Sequence, residues 1–95
     1  MSESSENKKE RYCELRQKEV INTKDGCRLG FINDLLIDID EGHIKKIIVP
    51  GPGRVLNFFG KEVEYHVPWD AIEQIGDDLI IVDCETKKIV KNIEY

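Results

Sequence analysis

Residues 30–49 read GFINDLLIDIDEGHIKKIIV, and this run limits what the chain can fold into more than any other part of it. Leu35, Ile37 and Ile39 alternate with Leu36, Asp38 and Asp40. That is the two-residue period of a strand with one buried face. Asp40-Glu41-Gly42 interrupts the apolar content, and a glycine in such a loop takes positive φ without steric cost. Ile44, Ile47, Ile48 and Val49 then resume it. The pattern predicts an antiparallel hairpin. Ile32 is out of phase with Leu35, and Ile44 with Ile47. A β-bulge at each slip would bend the strands, as happens where a sheet curls into a barrel.

The remaining segments are short and punctuated by turn residues. Val63, Tyr65 and Val67 share one parity while Glu62, Glu64 and His66 share the other, which predicts a half-buried strand closed by Pro68. Trp69 and Ile72 lie one helical turn apart, so a single turn would tuck both against a barrel end, with Trp69 as a core plug. Residues 79–82, LIIV, form a fully apolar strand. Tyr12, Leu15, Val20 and Ile21 fit a short strand and turn, Asp25-Gly26 is a turn, and Gly30 marks a bend or a close backbone approach. The weak alternation of Ile89, Val90, Ile93 and Tyr95 fits an edge strand, a short helix or a docking arm. About six short strands without a long amphipathic helix predict an all-β fold. The first choice is a small closed or partly open β-barrel, because closure removes exposed strand edges; a β-sandwich is second. Residues 1–11 are polar and read as a disordered tail, 12–85 as the domain, and 86–95 as a C-terminal extension.

A chain of 95 residues supports one small core. The net charge of -5 disfavours a general nucleic-acid surface, which needs clustered Lys and Arg. Nothing in the chain has the length of a signal peptide or a membrane span, so the expected location is cytoplasmic, away from membranes. Cys13, Cys27 and Cys84 are odd in number and lack CxxC spacing, so they are expected to be buried thiols. A metal site joining Cys13, Cys27 and a histidine is the disfavoured reading. Asp38 and Asp40 are expected to solvate the outer strand face, Asp34 to bind backbone in a turn, and His43 and His66 to face solvent. Residues 50–53, PGPG, do not match a phosphate loop. No catalytic residue, cofactor, metal or small-molecule substrate is expected, and the chain is not expected to be an enzyme.

The segment RVLNFFGK, residues 54–61, is unusually apolar for a stretch bounded by Gly53 and Gly60. It either folds back as a lid on the core or forms an exposed contact surface. On the second reading Val55, Leu56, Phe58 and Phe59 bury against a protein partner or a second copy in a homodimer, and Arg54 and Lys61 form the polar rim. A weaker alternative gathers Lys45, Lys46, Arg54 and Lys61 around Phe58 and Phe59 to hold RNA by charge and stacking.

Taken in order, KEVINTKDGCRLGFINDLLIDIDEGHIKKIIVPGPG and VPWDAIEQIGDDLIIVD resemble the PRC-barrel domain, most closely its small stand-alone YlmC/YmxH group, described as sporulation-associated. The matching points include Lys18 to Asn22, Asp25-Gly26, Leu29-Gly30, Asp34, Asp38, Gly42, Pro68-Trp69 and Ile75-Gly76, and they run from Leu15 to Asp83. The resemblance implies a small β-barrel with no known enzymatic role. Related domains occur in the photosynthetic reaction centre H subunit and in the ribosome maturation factor RimM, where the domain engages a ribosomal protein. It therefore implies docking onto other macromolecules and supplies no catalytic residue.

Overall fold

The computed structural model describes residues 9–51 and 62–93. A short helix α1 (Tyr12–Leu15) precedes β1 (Glu19–Asn22), β2 (Cys27–Phe31), β3 (Asp34–Asp38), β4 (His43–Pro50) and β5 (Val63–Pro68). A 3-10 turn (Trp69–Ala71) leads into β6 (Ile72–Ile75) and β7 (Leu79–Val82); α2 (Thr86–Ile89) and β8 (Val90–Asn92) follow. Two four-stranded sheets result, ordered β2-β1-β7-β6 and β3-β4-β5-β8. Among the described residues every pairing is antiparallel except β1 with β7, whose long connection permits a parallel ladder.

The all-β expectation is met, but among the described residues eight strands replace about six, and they form two sheets without closing into one ring. The additional strands come from segments too short to show a period. The apolar run splits at Ile32-Asn33 into β2 and β3, while IEQI and VKN become strands through their neighbours. Of the two phase slips, the one between Ile44 and Ile47 is a bulge: Leu36 faces Lys46 and Ile37 faces Ile44, leaving Lys45 over. The slip between Ile32 and Leu35 is instead the break between strands. The strand expected near Tyr12 is a helical turn, in which the Glu14 carboxylate accepts the Arg11 N–H at 2.7 Å and Leu15 is buried.

Both sheets contribute to one core. Val20, Leu29, Ile80 and Val82 from the first meet Ile47, Val49 and Val67 from the second, with Leu15, Ile32 and Ile89 closing the cluster. Gly30, at φ +124°, sits at the corner where β2 approaches β4; a Cβ there would lie 3.4 Å from Val49 Cγ1. Trp69 packs partly buried against the cluster, as its spacing from Ile72 predicts. Residues 86–92 belong to the same body: Ile89 is a core residue and β8 forms one edge of the second sheet.

Candidate docking surface

The residues proposed from sequence as a contact surface, Arg54, Val55, Leu56, Phe58, Phe59 and Lys61, lie outside the described residues. The points where their segment leaves and rejoins the sheet are described. Pro50 on β4 faces Glu64 on β5, and the Gly51 N–H donates to the Val63 carbonyl at 3.0 Å. The two strands are therefore already paired at the root of the connection.

Register places side chains on the outer face of this second sheet in rows. Leu36, Lys46 and Pro68 form one row; Asp34, Ile48 and His66 form the next; Pro50, Glu64 and Lys91 form the third. Leu35, Ile47 and Val67 point inward on the alternate parity. Between the rows lies a shallow notch of about 280 Å³ lined by Asn33, Asp34, Leu36, Ile48, Glu64 and His66. Ile48 is its buried floor. His66 Nε2 lies 2.9 Å from Glu64 Oε1, so this imidazole is half-buried and partnered rather than free in solvent as expected. Asp34 Oδ1 accepts the Leu35 N–H at 2.8 Å, which is the local backbone role foreseen for it.

β3 is the edge of this sheet, and among the described residues it pairs with β4 alone. β5 covers β4 only from Lys46 to Pro50, so the hairpin beyond is a two-stranded ribbon. That is why Ile37, expected on the buried face, is 49% exposed; Ile39, expected there too, lies in the turn after β3 and is 83% exposed. Leu36 is 48% exposed on the outward parity, as its alternation predicts. Asp38 holds the tip of the ribbon: its Oδ1 accepts the Glu41 N–H at 3.1 Å and its carbonyl accepts the Gly42 N–H at 2.8 Å, with Gly42 at φ +73°.

A second polar cluster joins the first sheet to α2. The fully buried Asn22 amide donates to the Cys84 carbonyl at 2.7 Å and to Thr86 Oγ1 at 3.1 Å, while its oxygen accepts the N–H groups of Cys84 and Lys24. The Thr86 hydroxyl in turn donates to Asp25 Oδ2 at 2.6 Å. That hydroxyl, and then the Cys27 N–H, hold the Asp25 carboxyl below its ordinary range. Asp25 in turn pushes the Cys27 thiol up, and burial pushes Cys84 up. The cysteines are not the buried thiols expected: Cys13 and Cys27 are exposed and Cys84 is half-buried. Cys13 lies near Phe31, at the far end of β2 from Cys27, so the two are not neighbours. Among the described residues no group of three or more His, Cys, Asp or Glu side chains could hold a metal ion. Lys18, nearly buried, pairs with Glu10 and donates to the Gly76 carbonyl beside Trp69. Among the described residues no helix is long and apolar enough to cross a membrane.

Sequence reasoning missed the notch and the Asn22–Asp25–Thr86 cluster. The signal for the first was Leu36, an apolar residue on the parity of Asp34 and Asp38. For the second, Asn22 among β-branched residues was the only sign.

A family model described as PRC-barrel domain matches residues 7–87. The chain is 46% identical to the probable sporulation protein YlmC of Bacillus subtilis over 69 residues, covering 73% of this chain and 85% of the relative. It is 38% identical to an uncharacterized protein of Clostridium acetobutylicum, covering 82% and 88% of the two chains. With the uncharacterized protein YmxH of Bacillus subtilis it shares 36% identity, covering 77% and 87%.

Proposed function

The chain belongs to the PRC-barrel domain family, and from that premise we propose that it is a non-enzymatic docking protein that binds through residues 54–61. Val55, Leu56, Phe58 and Phe59 supply the buried apolar area of the contact, and Arg54 and Lys61 its rim. The observation that carries this reading is the paired root of the connection. Pro50 already faces Glu64, and Gly51 already bonds Val63, so a turn of a few residues would join β4 to β5. The chain instead spends residues 52–61 there, four of them large and apolar. A connection of that length and composition exceeds what the topology needs, and such loops are commonly binding elements. The name of the relative YlmC, a probable sporulation protein, supports sporulation as the proposed setting.

A second copy of the chain is the partner to test first, because a surface that binds itself gives a symmetric dimer. Sedimentation velocity over a concentration series, with thermal melts, would compare the unaltered chain with Phe58→Ser/Phe59→Ser. Loss of association with an unchanged melting temperature is the expected result. Association that survives the double substitution overturns the proposal. A collapse of the melt together with association assigns the segment to the core as a lid.

A further inference from the structure

The edge strand β3 presents a patterned outer face. On its outer parity it shows Asp34, Leu36 and Asp38 in succession, an acid, an exposed aliphatic and an acid, each two residues from the next. Among the described residues no cation is paired with Asp34 or Asp38. Beside them lies the notch, which Asp34 on β3 and Glu64 on β5 flank from either side of Ile48. An edge strand offers unpaired backbone groups, and a partner strand added there gains main-chain hydrogen bonds while alternate side chains set specificity.

We propose that β3 binds an extended segment of another protein with a basic-x-aliphatic-x-basic pattern, adding it as a fifth strand to the second sheet. The aliphatic side chain packs on Leu36. One cation faces Asp38 and the other faces Asp34. On its other side β3 already accepts a strand of the chain itself, with His43, Lys46 and Ile48 of β4 opposite Asp38, Leu36 and Asp34. A second copy of β3 does not fit. An antiparallel β3–β3 pair centred on Leu36 sets Asp34 opposite Asp38 twice, and like charges directly opposite are destabilising. Asp34 also guards the edge: its carboxylate occupies the Leu35 N–H, and an incoming cation draws it off as the partner's backbone takes that donor.

The probe is a blocked, fluorescently labelled peptide containing Lys-Thr-Leu-Thr-Lys, with a Glu-Thr-Leu-Thr-Glu peptide as control. The Lys peptide is expected to bind at least about tenfold more tightly, the combined effect of two cross-strand charge pairs. The double variant Asp34→Lys/Asp38→Lys should reverse the preference, and added salt should weaken both interactions. Amide hydrogen exchange on the unaltered chain gives a readout that needs no variant: the Lys peptide should slow exchange at Leu35 and Ile37. No saturation by the Lys peptide below about 1 mM overturns the proposal. So does equal binding of the two peptides, or protection of those amides that rises with protein concentration alone. The titration repeated in Phe58→Ser/Phe59→Ser separates this surface from residues 54–61, because binding retained there stands whatever that variant does to association.

Discussion

Asp25 shows how much a single exposed carboxylate can organise. It accepts the Thr86 hydroxyl on one oxygen and the Cys27 N–H on the other, joining the β1–β2 turn to α2. Both bonds favour the charged form, with the Thr86 hydroxyl the larger cause, and the carboxyl is held below its ordinary range. A carboxyl depressed in the folded state contributes stability that is fully present above its unfolded pKa and is lost as pH falls through the folded one. The stability difference between the unaltered chain and Asp25→Asn should therefore be constant at neutral pH. It should begin to shrink near about pH 4 and disappear in stronger acid. Urea unfolding of both proteins across the acid limb checks it; a difference that persists in strong acid would mean that the charge is irrelevant. The same substitution should speed alkylation of Cys27 while leaving Cys13 unchanged, because the carboxylate that keeps the Cys27 thiol protonated is gone. Residue-resolved mass spectrometry at mildly alkaline pH reads that comparison directly.

At the level of strands and turns, the corner at Gly30 is the place where one residue type is required. Its φ of +124° is a conformation that side-chain-bearing residues rarely adopt, and β1 skips a partner beside it, pairing Val20 with Gly30 and Ile21 with Arg28. Gly30→Ala should cost about 1–3 kcal/mol in chemical denaturation, through backbone strain against β4. A loss much below that would show that the corner relaxes. The bend at Gly30 was legible in the sequence, as were β5, β7 and the hairpin of β3 with β4, because each has a full period or a glycine turn. α1, β6 and β8 were not legible: three or four residues carry no period, and their state is decided by what they pack against. Burial of Ile37 was misread for a related reason, since period predicts parity but not how far the neighbouring strand extends. The surface was less legible than the fold. Glu64 and His66 read singly as solvated and Asp34 as a backbone acceptor, and only a three-strand register sets them around Ile48.

For the molecule as a whole, two four-stranded sheets must be fastened into one body. β7 ends the chain's path through the first sheet at Val82, and β8 lies on the second, against Tyr65. α2 is the bridge between them. It inserts Ile89, 4% exposed, into the shared core and anchors Thr86 to the buried Asn22 and to Asp25. The crossing thus couples an apolar contact to a satisfied polar one. Ile89→Ala should cost about 2–4 kcal/mol, because the cavity opens where both sheets meet. In a domain of this size that lowers the melting temperature by about 10 °C or more. A chain stopped after Glu85 loses Ile89, the Thr86 bonds and the β8 ladder together. It should show no cooperative thermal transition by circular dichroism, although its first sheet keeps every strand. Should the shortened chain melt within a few degrees of the full one, the two sheets are held by their facing side chains alone, and the last residues are an appendage rather than the clasp.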